Sequence, residues 1–171
     1  MTWVAPEITR RSEPFVAGER EMLQGWLDWH RDTLLWKCQG LTGDQLVKTT
    51  VEPATLSLLG LVRHMADVER SWSHRAAGIA FEGIFYTDDN RDGDLHDGRP
   101  ETAEADFATF KAECDKADAV LADLTLDATF ISSRGNQISV RWVYNHMIEE
   151  YARHNGHADL IRERLDGVTG D

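Results

Sequence analysis

The chain predicts an all-α fold, a four-helix bundle, on three observations. Apolar residues recur at three- and four-residue steps in four long segments. Strand-like signal is confined to one short stretch, and a hydrophobic fraction of 42% with six tryptophans supplies apolar surface for one continuous core in 171 residues. No internal repeat, low-complexity tract or Pro/Ser-rich linker interrupts the pattern, so residues 1–171 are expected to form a single helical domain.

The first helix is expected from about Glu19 to Cys38. Met22, Trp26, Trp29, Thr33 and Trp36 share one face, and Gly40 lies just past the end, where a terminating glycine belongs. The second runs from about Ser57 to Ala77, with Leu58, Leu61, Met65, Val68 and Trp72 on one side and Gly78 as its stop. The third spans about Thr102 to Leu124, lined inside by Phe107, Phe110, Cys114, Ala117 and Leu121. The fourth starts near Ser139, a good N-cap residue, and continues through Leu165 to Gly167. Its apolar stripe is Trp142, Val143, Met147, Tyr151, Leu160 and Ile161. A short extended pair is expected around Arg134-Gly135-Asn136. The long polar loop from Gly83 to Pro100, between the second and third helices, suggests a crossover and not a tight hairpin.

Charge excludes several partners. The net charge of −12, from 18 basic and 30 acidic side chains, repels nucleic-acid phosphates and anionic membranes. No apolar run is long enough to span a bilayer, and residues 1–20 show no apolar stretch like that of a secretory signal. A cytoplasmic setting follows as the expectation. Cys38 and Cys114 form no CxxC pair and read as free thiols that pack in the core.

The fourth helix carries the chemistry. Steps of three and four place His146, Glu150, His154 and His157 on one side, overlapping the apolar stripe. A carboxylate buried there without a partner costs several kcal/mol or takes up a proton. A metal ion removes that problem, and residues at i and i+4 can chelate one ion. His64, near the middle of the second helix, is the natural third ligand. Two imidazoles and one carboxylate suit zinc, nickel or iron(II), and three protein ligands leave open positions. Asp67, three residues after His64, is a candidate to orient an imidazole. His146 reads as a core histidine bonded to a backbone carbonyl, with a supporting partner or spare ligand as the alternative; His157 is a candidate supporting residue, and Arg63, Arg141 and Arg153 could steer an anionic substrate.

Asp88-Asp-Asn90-Arg-Asp92-Gly93-Asp94 matches the first half of a calcium-binding EF-hand loop. Its twelfth position is Arg99, where a bidentate Glu is required, so a solvated acidic loop is expected instead. Neither cysteine has a base beside it in sequence, and Ser132, Ser133 and Ser139 lie in no nucleophile elbow.

Three stretches carry a resemblance. They are Leu58-Leu-Gly-Leu-Val-Arg-His64-Met-Ala-Asp-Val-Glu-Arg-Ser-Trp72, Ser139-Val-Arg-Trp-Val-Tyr-Asn-His146, and Met147-Ile-Glu-Glu150-Tyr-Ala-Arg-His154-Asn-Gly-His157-Ala-Asp-Leu-Ile-Arg-Glu163. With them the chain resembles the DinB-like superfamily, which includes mycothiol-dependent maleylpyruvate isomerases and bacillithiol S-transferases. The resemblance implies a bundle of up-down-down-up topology, often a homodimer, with one His ligand from the second helix and two ligands from the fourth. Carried over residue by residue, these are His64, Glu150 and His154. Many members have His where this chain has Glu150, and His157 stands where Gln is common. The resemblance further implies a divalent transition metal, zinc or nickel, and mycothiol or another low-molecular-weight thiol acting on a small-molecule electrophile, as an S-transferase or isomerase. Two other readings stay open at this point. One is a metal-dependent hydrolase with Glu149, His146 or His157 as base, and the other a non-catalytic metal-binding or stress-response protein.

Overall fold

Four long helices make up most of the computed structural model, which describes residues 3–170. They are α1 (Glu19–Cys38), α3 (Leu58–Ala77), α5 (Ala103–Ala122) and α6 (Val140–Asp166), with the short helices α2 (Gly43–Leu46) and α4 (Gly93–His96) in the connections. A hairpin of β1 (Thr129–Ile131) and β2 (Gln137–Ser139) precedes α6, with Gly135 at φ 80° in its turn. α3 packs most extensively on α5 and α1 on α6, while α3 against α6 joins the two pairs.

Local chemistry sets the helix ends. The Ser57 Oγ accepts from the Gly60 amide and the Ser139 Oγ from the Trp142 amide, both at 3.1 Å, satisfying N-terminal donors that no helical carbonyl reaches. Gly78 and Gly167 close α3 and α6 at φ 68° and 79°, a backbone region that side chains with a Cβ rarely adopt. A 3-10 turn at Pro100–Thr102 leads into α5, so that helix begins one residue later than its periodicity suggests. α2 and α4 were not expected from the apolar pattern, because four residues show no period.

The core gathers Leu27, Leu34 and Cys38 of α1, Leu61, Val62 and Met65 of α3, Phe107, Phe110 and Leu121 of α5, and Val143, Met147, Tyr151 and Ile161 of α6. On α1 the tryptophan face is not the inner one. Trp26 is 37% exposed, Trp29 and Trp36 are half-buried, and the Arg10 guanidinium lies over the Trp29 and Trp36 rings. Indole combines a large apolar body with an N–H donor, which suits the boundary of a bundle better than its centre. For the same reason Trp142, at the edge of the α6 stripe, stays 44% exposed. Leu160 is also exposed.

One polar cluster sits inside this core. Glu69 of α3 is 0% exposed and receives both Arg31 Nε (2.6 Å) and Nη2 (2.7 Å) from α1. The Tyr151 hydroxyl of α6 donates to the same carboxylate at 2.6 Å, and the Cys114 Sγ of α5 approaches it at 3.7 Å. Burial alone would favour the neutral form of Arg31, but the charge and hydrogen bonds of Glu69, together with Cys114 and Tyr151, outweigh it and hold the guanidinium well above its ordinary pKa. Burial also pushes the Tyr151 hydroxyl and the Cys114 thiol up, so both stay protonated.

The α3–α5 connection is tied down to α3. Asp67 accepts from the Ile84 and Phe85 amides at 2.6 and 3.0 Å, and Arg63 donates to the Gly93 and Asp94 carbonyls, both at 3.1 Å. Asp88, Asp89 and Asp92 are exposed as expected of an acidic loop, but Gly93 and Asp94 are buried.

Glu69→Ala takes both buried hydrogen bonds from Arg31, leaving it only Asp28 and Asp118 at the edge of the core, and is expected to lower unfolding free energy by about 3 kcal/mol in urea titrations. Tyr151→Phe, which removes one hydrogen bond to a charged group, should cost about 1.5–3 kcal/mol. Near-wild-type stability of Glu69→Ala would show that the cluster is dispensable. Asp88→Ala and Asp92→Ala are expected to leave the melting temperature in calcium unchanged; a calcium-induced rise lost in these variants would reinstate the loop as a cation site.

Candidate metal centre

α3 and α6 pack so that His64 faces the middle of α6, where Glu150 and His154 stand one turn apart. One ligand atom from each of His64, Glu150 and His154 lies within 4.8 Å of the others. The His64 and His154 rings meet edge to face with centroids 4.8 Å apart, and His154 Nε2 is 3.5 Å from Glu150 Oε2. His154 is buried, His64 and Glu150 half-buried. Burial, helped by the neighbouring His64 and His157, pulls the His154 pKa down to about 4. The imidazole is therefore neutral near pH 7, with a lone pair to give.

Each candidate supporting residue has a definite place. His64 Nδ1 lies 2.7 Å from Asp94 Oδ2, so the imidazole N–H donates to the carboxylate and Nε2 is left as the acceptor nitrogen. Asp94, and not Asp67, orients this ring; the Asp67 carboxylate is used up on the Ile84 and Phe85 amides. His157 Nδ1 is 3.4 Å from His154 Nδ1, behind the ring edge that faces Glu150. His146 is not a core histidine bonded to a backbone carbonyl. Its ring stacks on Trp142 (4.6 Å, 18°) and meets Trp72 edge to face, and its Nε2 is 3.5 Å from Glu150 Oε1. With Glu149 and Glu150 it makes a second convergent set, but Glu149 is exposed and paired with Arg153.

Of the three arginines, Arg153 alone stands beside the triad, at 3.6 Å from Glu150 Oε2. Arg141 is held by Glu19 and Asp127, and Arg63 is buried against the connection. Neither cysteine is a nucleophile here. Cys38 is fully buried, which pushes its thiol up to about 12, and burial beside Glu69 raises Cys114 as well.

The donor set fits a borderline divalent ion. Two imidazoles and one carboxylate converge from two helices, and His64 Nε2, which makes no hydrogen bond among the described residues, is of the kind that zinc, nickel or iron(II) accepts.

The depressed His154 pKa has a consequence for stability without added metal. Between pH 6.5 and about 4 the unfolded chain carries a proton on this imidazole that the folded chain does not. Stability is therefore present above pH 6.5 and lost as pH falls toward 4. Urea midpoints measured from pH 7 to 4 should drop more steeply for the parent chain than for His154→Asn; parallel curves would show that His154 titrates normally.

A sequence profile of the mycothiol-S-transferase family matches residues 22–167, a stretch that includes all four long helices apart from the first turn of α1 and contains His64, Glu150 and His154. No curated protein is significantly similar to the chain. The match spans most of the 171 residues. The chain belongs to the mycothiol-S-transferase family, one of the DinB-like families.

Proposed function

We propose that the chain is a metal-dependent S-transferase that joins a low-molecular-weight thiol, mycothiol in the first instance, to a small electrophile. The observation that carries this reading is the convergence of His64, Glu150 and His154 in a member of this family. Those three residues hold zinc or nickel. The ion, when bound, supplies Lewis acidity that lowers the pKa of a thiol.

The chain's own residues bind and shield. Asp94 fixes the tautomer of His64, and His157 braces His154 from behind. Trp72 and Trp142 pack around His146 and place apolar surface beside Glu150, where water is a competing nucleophile. The sulfur transferred comes from the small thiol, because both cysteines are buried with raised pKa values. Transfer over hydrolysis is favoured by the state of the three candidate bases. Glu149 is paired with Arg153, His146 is packed on two indoles, and His157 is turned to His154.

Metal analysis by mass spectrometry tests the centre. One transition-metal ion per chain is expected, lost in His64→Ala and Glu150→Ala while circular dichroism shows the helices retained. Loaded protein should then consume mycothiol against a panel of electrophiles, and the metal-free variants should not. Full metal content in His154→Ala would remove the triad, and a loaded protein inert toward every thiol would remove the transferase.

A further inference from the structure

Four residues of α3 recur at the steps of one helical stripe, Gly60, Arg63, His64 and Asp67, and all four meet the connection that follows the helix. A Cβ on Gly60 would come within 2.2 Å of the Leu95 carbonyl oxygen, so only glycine lets α4 lie this close. Arg63 donates to the Gly93 and Asp94 carbonyls, reaches Asp106 of α5 at 3.2 Å, and lies 4.0 Å over the Phe85 ring. Asp67 holds the Ile84 and Phe85 amides. His64 makes the remaining contact, through Asp94, a residue only 5% exposed whose other oxygen accepts from the Leu95 amide at 2.9 Å.

We propose that Asp94 is a positioning residue for the metal centre, through which occupancy of the centre and order in residues 84–97 are coupled. The inference rests on the metal reading above. An imidazole on a helix can turn about two side-chain torsions, and a carboxylate on Nδ1 removes that freedom, fixes Nε2 as the ligating atom and raises its basicity. Asp94 sits on α4, a single turn of helix that does not hold it rigidly by itself. Its placement depends on Arg63, which holds the Gly93 and Asp94 carbonyls, and on Asp67, which holds the connection upstream at Ile84 and Phe85. A ligand that requires the His64 orientation therefore favours the tethered connection, and by reciprocity the tethered connection favours the ligand.

Zinc affinity, measured on the full chain by competition with a chromophoric chelator, tests the coupling together with amide hydrogen exchange. Asp94→Asn keeps the size of the side chain and should weaken zinc about 10–100-fold, the usual effect of removing such a partner. The visible absorption of the cobalt-loaded protein should change shape in the same variant, which a general loss of stability would not produce. Asp67→Asn loosens the connection at its far end without touching His64, and should weaken zinc several-fold. Zinc should slow exchange at Ile84, Phe85 and Leu95 in the parent chain and not in Asp94→Asn. Affinity of Asp94→Asn within twofold of the parent, with an unchanged cobalt spectrum, would overturn the positioning role and leave the metal centre standing. Unchanged exchange on zinc binding in the parent would overturn the coupling. A parent chain that binds no zinc at all would overturn the metal reading and this inference together.

Discussion

A carboxylate with no access to water must find its partners inside the protein, and Glu69 finds one on each of the other long helices: Arg31 on α1, Cys114 on α5 and Tyr151 on α6. Apolar packing alone tolerates sliding and rotation, since one leucine serves nearly as well as another. A bidentate guanidinium–carboxylate pair does not, because its two parallel hydrogen bonds require one relative orientation of the partners. The cluster therefore specifies the relative register of the helices more sharply than it stabilises them, since a buried pair gains little over well-packed apolar residues. Its bearing on the candidate centre is direct. Tyr151 is the residue after Glu150, so fixing its hydroxyl on Glu69 fixes where Glu150 and His154 point.

α3 is thus divided between two tasks. Glu69, with Val62 and Met65, faces the core. The stripe of Gly60, Arg63, His64 and Asp67 faces the connection to α5. His64 borders both, which lets a ring on a long helix be aimed by a carboxylate on the single-turn helix α4. The arrangement explains why a run of the chain rich in aspartate is not uniformly solvated. Asp88 and Asp92 remain in water, while Asp94 two residues on is buried against His64.

Much of the fold could be read in advance because its signals are local. The helix ends at Ser57, Gly78, Ser139 and Gly167 are capping chemistry, visible within four residues. The convergence of His64 with Glu150 and His154 was legible from helical steps plus one assumption, that α3 and α6 are neighbours. What was missed is long-range or subtle. The α2 start at Thr42 is a capping box with Gln45, a signal present in the sequence but too short to show a period. The inner face of α1 was misjudged because tryptophan spacing outweighed Leu27, Leu34 and Cys38, although indole is the side chain most at home on a boundary. The exchange of roles between Asp67 and Asp94 had no local signal at all. Thirty residues separate Asp94 from His64, and they are brought together by the Arg63 and Asp67 tethers and by the close approach of α4 to Gly60.

Charge balance bears on how substrates reach the proposed centre. Glu150 puts a negative charge in the donor set where a third imidazole would put none, and Asp94 adds a second just behind His64. A divalent ion held there would be offset almost completely by those two carboxylates. Arg153 is the one arginine of the three considered that stands close, and it is already paired with Glu149. The protein as a whole carries −12. Long-range attraction of an anionic reactant is therefore not built into this chain. Selection must come from contact, at the edge where the indoles of Trp72 and Trp142 and the ring of His146 adjoin Glu150. Such a surface favours a reactant that arrives uncharged and develops its charge only once water has been excluded.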